Sequence, residues 1–433
     1  MAIKLGNPEI ALRVGSAECR VYLGDVLIES GDTPTPPTPS YKWLATYTGG
    51  TTSSAECDAS SAITNNEITK SGLTSVEIGD CVTSIGNSTF NNCTGLTSAT
   101  IGSGVTSIGS YAFNMCGGLT SVTIPNSVTS IGDSAFNNCT GLTSATIGSG
   151  VTSIGNDAFI RCASLINITV SPNNTVYDSR NNCNAIIKTS TNELILGCET
   201  SVIPNNITSI GQDAFYGCSS LTSINIPNSV TNIGQYAFAQ CDNLASIAIP
   251  SGVTSIGEGA FNSCESLTSF TIPSGVTSIG DYVFSECYGL SSVTIPNSIT
   301  SIGESAFDSC GSLTSITIPS RVTSIGNMAF YGCSSLTTVT IPSWVTSIGE
   351  YAFSNCTSLT SVTIGKRVTS IGDGAFGDCS SLQSITCLAV VPPTLDGSAF
   401  DNTNDCPIYV RQESLSDYQS EWADYEDRIQ AIP

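Results

Sequence analysis

Residues 105–127 read VTSIGSYAFNMCGGLTSVTIPNS, and this 23-residue unit recurs along most of the 433-residue chain. The isoleucine of its Ile-Gly pair stands at Ile85, Ile108, Ile131, Ile154, Ile210, Ile233, Ile256, Ile279, Ile302, Ile325, Ile348 and Ile371. Ten of the eleven gaps are 23 residues, and the gap from Ile154 to Ile210 contains a 33-residue insert besides one repeat. This period predicts a solenoid, because each unit buries its apolar face only against its neighbours.

The apolar positions of the repeat predict a mainly β core with a parallel sheet. Within residues 105–127, Leu119, Val122 and Ile124 form the apolar pattern of a predicted strand. Ala112 and Phe113 are predicted to face inward from a short turn. Twelve of the nineteen cysteines recur at one position: Cys93, Cys116, Cys139, Cys162, Cys218, Cys241, Cys264, Cys287, Cys310, Cys333, Cys356 and Cys379. We interpret them as a column of buried, reduced thiols, although rungs about 5 Å apart do not exclude disulfide pairs.

The composition argues against several classes of function. The chain has 35 acidic and 13 basic residues, a net charge of −22, and no histidine. This balance disfavours binding to nucleic acid or to an anionic membrane surface. No apolar run approaches the length of about 20 residues that spans a membrane. No catalytic set, cofactor motif or metal-ligand cluster is visible, so we predict no enzyme activity, no cofactor and no metal.

The start of the chain, MAIKLGNPEIALRVG, lacks the basic and apolar regions of a signal peptide. We therefore expect the protein to be made and kept in a cytosol, or released by lysis. A leader removed before Met1 is an alternative.

The chain divides by composition into five parts. They are a β module over 1–30, a proline-rich linker over 31–40, an N-terminal cap and first rung over 41–80, the repeats over 81–387, and a C-terminal cap over 388–433. The insert, about 163–209, predicts a β-hairpin that projects from its rung. Helical spacing of Tyr418, Trp422, Tyr425 and Ile429 predicts a helix that covers the last rung.

The repeat unit resembles the BspA-type leucine-rich repeat of surface adhesins from Bacteroidetes and of some protist proteins. The insert resembles the hairpin unit of that family, and CPIYVRQESLSDYQSEWADY (406–425) resembles its C-terminal cap. The resemblance implies a right-handed leucine-rich-repeat solenoid with a parallel sheet along one face. It also implies binding to host proteins or glycans rather than catalysis.

The N-terminal segments IKLGNPEI and VYLGDVLIES resemble N-terminal segments of tail and fibre proteins from bacteriophages of gut Bacteroidetes. The resemblance implies a module that docks on other virion proteins, with candidate docking residues Leu5, Gly6, Tyr22, Leu23 and Gly24. We therefore predict a virion appendage, a tail or head fibre, whose solenoid adheres to a glycan or protein of the host bacterial surface. Several copies per virion would raise avidity, and a homo-oligomer is left open.

Two other functions are left open by the sequence. One is a surface adhesin of a Bacteroidetes-like bacterium or a protist, located on the cell surface or secreted, that binds host proteins or glycans. The other is an intracellular scaffold, for which the free thiols would matter and no glycan would bind.

A localised candidate binding site breaks the uniformity of the repeat. The residue before V-T-S is mostly Gly or Ser in earlier rungs, but becomes Arg321, Trp344 and Arg367 at successive spacings of 23, with Lys366 alongside. Stacking of adjacent rungs predicts a cation–aromatic–cation column. Such a column suits a carbohydrate or an acidic partner, and the alternative is surface stacking that protects the end of the solenoid.

Acidic residues after the Ile-Gly pair are a further candidate feature. They include Asp133, Glu258, Asp281, Glu304, Glu350 and Asp373. Stacked carboxylates could recruit Ca²⁺, but Asn and Gln at the same position favour a capping role for the turn that follows.

Overall fold

The computed structural model describes the backbone of residues 10–14, 19–23 and 26–27, and the full residues 41–57 and 62–433. The chain forms two compact units, Met1–Ser40 and Tyr41–Pro433. In the first unit, the strands Ile10–Val14, Cys19–Leu23 and Val26–Leu27 form an antiparallel sheet in that order. The predicted docking residues Leu5, Gly6 and Gly24 and the predicted linker lie outside the described residues, while Tyr22 and Leu23 lie in the middle strand.

The second unit is a solenoid in which each rung contributes up to two short strands. The Ser-Ile strands come from the V-T-S-I-G arm of the repeat and pair in parallel with the same arm of the next rung. They are Ser84–Ile85, Ser107–Ile108, Ser130–Ile131, Ser153–Ile154, Ser209–Ile210, Asn232–Ile233, Ser255–Ile256, Ser278–Ile279, Ser301–Ile302, Ser324–Ile325, Ser347–Ile348 and Ser370–Ile371. Ala62–Ile63 precedes this series and Thr394–Leu395 follows it.

The long-arm strands come from the L-T-S-V-T-I arm and also pair in parallel between rungs. They are Leu73–Ile78, Ser98–Thr100, Ser121–Thr123, Ser144–Ile147, Asn167–Val170, Ser269–Thr271, Ser292–Thr294, Thr338–Thr340, Ser361–Ile364 and Ser384–Cys387. An isolated bridge joins Asn225 to Ala248. This parallel solenoid confirms the predicted fold class.

The core consists of repeat positions stacked into columns. Phenylalanine rings of successive rungs lie parallel, with centroids 4.9 Å apart for Phe90 and Phe113 and 5.2 Å apart for Phe307 and Phe330. The repeat cysteines are buried free thiols, except that Cys218 is partly exposed. Each thiol typically donates a hydrogen bond to a main-chain carbonyl 26 residues earlier, as Cys310 does to Phe284 at 3.1 Å. The predicted thiol column is therefore confirmed.

The insert lies within the sheet formed by the Ser-Ile strands and does not project from it. Its strands are Tyr177–Asp178, Ile186–Lys188 and Glu193–Leu196, and a 3₁₀ turn spans Arg180–Asn182. The last two strands form the expected antiparallel hairpin, but Glu193–Leu196 also pairs in parallel with Ser209–Ile210. This second pairing satisfies the edge of the following rungs, which a projecting hairpin would leave open.

Antiparallel strands cover the N-terminal end of the solenoid. Tyr41–Tyr47 pairs with both Thr52–Glu56 and Leu73–Ile78, and Trp43 is buried. A disulfide joins Cys57 to Cys81.

The C-terminal end differs from the single helix that the spacing predicts. A helix spans Leu415–Glu421 between 3₁₀ segments at Gln412–Ser414 and Ala423–Arg428. Ile429 lies instead in the strand Ile429–Ala431, which pairs with Ile408–Val410 and extends the long-arm sheet. Residues 429–431 form a strand despite the helical spacing of Ile429, because their pairing satisfies backbone groups at the edge of the sheet. Tyr418 and Trp422 are buried as expected.

A candidate ligand-binding groove beside Trp344

The long-arm sheet is interrupted next to the candidate site. Ser292–Thr294 ends one sheet and Thr338–Thr340 begins another, and the intervening residues 315–317 form no strand with either neighbour. A groove of about 530 Å³ lies at this break. Its apolar lining includes Ile316, Ile318 and Pro342, and Trp344 lies at its side.

Trp344 contacts a cation and is also one of the residues that line the groove. The Arg367 guanidinium carbon lies 3.9 Å from the centroid of the Trp344 ring. The groove is lined by residues from the same rung as Trp344 and from the preceding rung, whereas Arg367 belongs to the following rung. Trp344 is 54% exposed. An exposed aromatic side chain that is held in place by a neighbouring group loses less conformational freedom when a ligand binds.

The structure brings together part of the predicted column. Arg367 stacks on Trp344, whereas Arg321 is exposed and makes no ring contact in the described part of the chain. Lys366 is exposed beside Arg367. The predicted stack of three groups is therefore a stack of two, with Arg321 one rung away on the groove side.

Three exposed cations lie near Trp344 in a strongly acidic protein. Arg321, Lys366 and Arg367 form no salt bridge with any described residue. The whole chain carries 13 basic residues against 35 acidic ones. Unpaired cations on two rungs about 10 Å apart give the groove a local positive field, which attracts anions over about a Debye length.

Hydroxyl groups complete the groove, and the repeat pattern does not distinguish them. They belong to Thr317, Ser320, Thr338, Thr340 and Ser343. The same residue types occupy the same positions in most rungs, so composition gives no signal for these five. Thr317 and Ser320 belong to the rung that forms no strand at 315–317, and Thr338 and Thr340 belong to the first strand of the following sheet, an arrangement that is visible only in the structure.

The acidic positions after Ile-Gly connect neighbouring rungs. The Asp133 carboxylate accepts the N–H of Asn156, and the Asn327 amide oxygen accepts the N–H of Glu350. The Asp133 and Asn327 side chains thus cap the turn of the following rung, not the turn of their own rung as predicted. Among the described residues, no group of three or more acidic or cysteine side chains is arranged to hold a metal ion.

Tyrosines lie next to these turns, with Tyr351 exposed and Tyr236 half-buried. Tyr236 donates its hydroxyl to Glu258 at 2.8 Å, and Tyr351 donates to Asp373 at 3.0 Å. Burial, together with the Glu258 hydrogen bond, raises the pKa of Tyr236 to about 12. The Ser398 N–H and then the Tyr351 hydroxyl lower the pKa of Asp373 below its usual value. These side chains are used in contacts between rungs and leave no obvious ligand position.

The buried repeat thiols are poorly suited to act as catalytic nucleophiles. Burial raises the pKa of Cys139 and of Cys287 to about 12, so both remain thiols at neutral pH. A neutral, buried thiol is a poor nucleophile. The thiols therefore act as packing groups and hydrogen-bond donors.

Comparison with known proteins identifies the family. A family model described as BspA type leucine rich repeat region matches residues 61–188, 196–313 and 300–416. The chain therefore belongs to the BspA-type leucine-rich repeat family. Solenoids of this kind typically serve as binding scaffolds rather than as enzymes. No helix in the described part of the chain is both long and apolar enough to cross a membrane.

Two solved structures are similar to the chain. A leucine-rich repeat protein from Bacteroides ovatus is 27% identical, with both chains covered completely and a TM-score of 0.59. A leucine-rich repeat protein from Eubacterium ventriosum is also 27% identical over 72% of this chain and 84% of its own, with a TM-score of 0.58. No curated protein matches the chain.

Proposed function

We propose that the protein is an adhesion module that binds acidic glycans in the groove beside Trp344. The observation that carries this proposal is an exposed tryptophan, stacked on Arg367 and bordering a hydroxyl-lined groove at a break in the sheet. The apolar face of a sugar ring packs well on an exposed aromatic side chain, and hydroxyl side chains can bond to its hydroxyl groups.

The charge of the groove favours a carboxylate- or sulfate-bearing glycan over a neutral one. Arg321, Lys366 and Arg367 have no acidic partner among the described residues. Guanidinium groups bind carboxylate and sulfate oxygens through paired hydrogen bonds. A neutral polymer would leave these cations to solvent and gain nothing from them.

The test is binding to an acidic polysaccharide, polygalacturonate, with neutral dextran as the comparison polymer. We expect the protein to bind polygalacturonate and this binding to weaken as the salt concentration rises from roughly 50 to roughly 500 mM, because salt screens exposed charges. Trp344→Ala should weaken it by about tenfold or more, as is typical for a central aromatic contact. Equal binding to both polymers would contradict the role of the cations.

The matched control is Tyr288→Ala. Tyr288 is 48% exposed and Trp344 is 54% exposed, so both substitutions remove an exposed aromatic side chain. The Tyr288 variant should bind like the wild type. If the two variants lose binding equally, the groove is not the site.

We propose a cell-surface or secreted location for this adhesion module. The Cys57–Cys81 disulfide supports it, because disulfides form and persist in oxidising compartments and are rare in the cytosol. This departs from the expectation, based on the start of the chain, of a protein kept in a cytosol. Cell fractionation with detection of the oxidised cap tests this location, and a reduced Cys57 in native protein would contradict it.

The virion appendage stays a prediction that rests on the resemblance of residues 1–30. The family match begins at residue 61 and does not extend to that segment. Mass spectrometry of purified phage particles from gut Bacteroidetes cultures distinguishes the two locations. Stoichiometric recovery with capsid proteins would support the virion, and recovery only in envelope fractions would support the bacterial adhesin.

A further inference from the structure

The insert creates a cavity between two rungs that is separate from the Trp344 groove. Ser153–Ile154 is the last strand of one Ser-Ile sheet, and the next sheet begins with the strands of the insert. A cavity of about 230 Å³ lies between the rung of Ile154 and the rung of Ile210. Its apolar lining includes Phe159, Ile195 and Leu196.

Backbone donors at this cavity lack the partners that they have in other rungs. In the preceding rung, the N–H of Ser134 donates to the carbonyl of Asn156 at 2.8 Å, and the N–H of Phe136 donates to the carbonyl of Ala158 at 2.7 Å. The equivalent donors here are the N–H groups of Asp157 and Phe159, and neither has a partner among the described residues. Phe159 is only 4% exposed and lines the cavity.

The insert itself causes the missing bonds. The Gly197 N–H, from the insert, donates to the carbonyl of Ala214, which the Phe159 N–H would otherwise reach. The Gly211 N–H likewise donates to Leu194 and leaves the carbonyl of Ile154 without a partner in the described chain. Two donors and one acceptor therefore remain at the cavity. Buried backbone polar groups are nearly always bonded to something, so these groups call for water or a ligand.

Side chains at the cavity add both donors and acceptors. Gln212 donates its amide N–H to Asp213 at 2.9 Å, and its amide oxygen has no hydrogen-bond partner among the described residues. Lys188 and Glu193 lie opposite each other on the hairpin and also line the cavity, as does Asp157. Asp213 is half-buried, and this burial raises its pKa to about 6. Mixed donors and acceptors above an apolar surface are typical of a small-molecule site.

We infer that this cavity binds a single neutral sugar unit. Three carboxylates against one lysine disfavour an anion. The described residues contain no group suited to a metal ion. Water occupies about 30 Å³ in the liquid, so the cavity of about 230 Å³ holds the equivalent of about eight waters, which suits one sugar ring rather than a chain. The sugar hydroxyls accept from the Asp157 and Phe159 N–H groups and donate to the carboxylates.

The inference does not depend on the proposed function of the Trp344 groove. It is tested with D-galactose, D-glucose and N-acetylglucosamine, each titrated into the full-length protein and followed by saturation-transfer NMR. At least one sugar should saturate with a dissociation constant of roughly 1–10 mM, as expected for a single weak site. Absence of saturation for all three up to about 50 mM, well above that range, would overturn the inference.

The repeat supplies a matched control variant. Gln212 and Gln235 occupy the same repeat position and are both exposed, but only Gln212 lines the cavity. Gln212→Ala should weaken sugar binding about fivefold or more, in line with loss of a hydrogen bond, whereas Gln235→Ala should have no effect. Ile195→Trp, which fills the cavity, should abolish binding, with its fold checked by circular dichroism. Equal binding by the Gln212 and Gln235 variants would overturn the inference.

A further variant separates this site from the groove. Trp344→Ala should leave neutral sugar binding unchanged. Loss of sugar binding in Trp344→Ala, with retention in Ile195→Trp, would assign the sugar to the groove and overturn the cavity site. Binding of methylamine at this cavity, without binding of any of the three sugars, would also overturn the inference, because that result would indicate a cation site.

Discussion

At the scale of single residues, the glycine of the Ile-Gly pair shows why the repeat tolerates so little change. A β-carbon added at Gly326 would lie 2.5 Å from the carbonyl carbon of Gly303 in the preceding rung. Rungs approach so closely at this point that backbone packs directly on backbone. The glycine is therefore required by packing between rungs, which a single repeat in isolation would not show.

Gly326→Ala should destabilise the solenoid by about 1–3 kcal/mol, because the backbone of the preceding rung must move. Gly311→Ala is the matched control, since its added β-carbon would meet nothing closer than the Ser334 hydroxyl at 3.6 Å. Urea denaturation followed by circular dichroism measures both. A Gly326 variant as stable as the Gly311 variant would contradict this account of the rung contacts.

Asp213 gives the junction of the insert a pH dependence. Burial raises its pKa to about 6, the nearby Asp157 adds to the rise, and the Gln212 hydrogen bond opposes it. The other charged groups that line the same spaces are Arg161, Lys188 and Glu193. The folded state holds this proton more tightly than the unfolded state, so its stabilisation is present below the unfolded pKa and is lost as the pH rises through about 6.

The melting temperature of the wild type should fall as the pH rises from roughly 5 to roughly 7, and Asp213→Asn should therefore show a smaller fall. At pH 7 the variant should melt at or above the wild-type temperature, because it lacks the partly buried charge. Thermal melts in a series of buffers of equal ionic strength measure this. An unchanged slope for the variant would show that Asp213 is not the group responsible.

The sequence correctly predicted that Arg367 stacks on Trp344, but the predicted stacking of Arg321 on the same ring is not found in the described part of the chain. The 23-residue spacing is enough to place residues on neighbouring rungs, so the stack of Arg367 on Trp344 follows from the pattern. The conformation of a long exposed side chain does not follow from spacing. Arg321 consequently lies beside the groove without stacking on the ring.

At the scale of elements, the cysteine column acts as a hydrogen-bonded ladder. Cys287 donates to Phe261 at 3.1 Å and Cys333 donates to Phe307 at 3.3 Å. Burial raises the pKa of Cys93 to about 11, with Lys70 opposing the rise, and raises that of Cys287 to about 12. Since the thiolate is the reactive form, these thiols should resist modification.

Native protein should therefore show almost no reaction of its repeat thiols with Ellman's reagent at pH 8, and unfolding in guanidinium should expose them. The structure has sixteen free cysteines among the described residues, fifteen of them buried. The comparison of native and unfolded protein in the same assay is its own control. Rapid reaction of most thiols in the native state would contradict the buried ladder.

The N-terminal cap depends on the bond between Cys57 and Cys81, which lie 24 residues apart in sequence. Cys57→Ser should destabilise the cap by about 3 kcal/mol, the usual size for a loop of this length. Hydrogen exchange of Tyr41–Tyr47 should accelerate in the variant and in reduced wild type, while the strands beyond Ser107–Ile108 should exchange as before. Unchanged exchange in the cap would show that the disulfide contributes little.

Elements governed by the repeat could be predicted from the sequence, and elements governed by sheet edges could not. The Ser-Ile strands and inward-facing residues follow from periodicity alone. The C-terminal segment has helical spacing, but Ile429 is drawn into a strand by the open edge at Ile408–Val410. The insert likewise lies in the sheet because an edge at Ser209–Ile210 accepts it. Such edges depend on partners that the local pattern does not contain.

At the scale of the molecule, the insert divides the solenoid core into two clusters. One runs from Trp43 to Cys198 and the other from Cys183 to Ile429, so the two overlap at the insert. The phenylalanine stack continues on each side, but no ring contact joins Phe159 to Phe215 in the described chain. The repeat pattern predicts the continuous architecture, whereas the break and its cavity come from hydrogen bonds that the insert redirects.

The central claim, that Trp344 contacts an acidic glycan, is tested most directly by the chain's own tryptophan fluorescence. Trp43 and Trp422 are buried, so Trp344, which is 54% exposed, dominates quenching by acrylamide. We predict that saturating polygalacturonate protects this fluorescence from acrylamide, that dextran does not, and that the protection is absent in Trp344→Phe. Polygalacturonate binding with no change in quenching would show that the ligand lies elsewhere and would contradict the account.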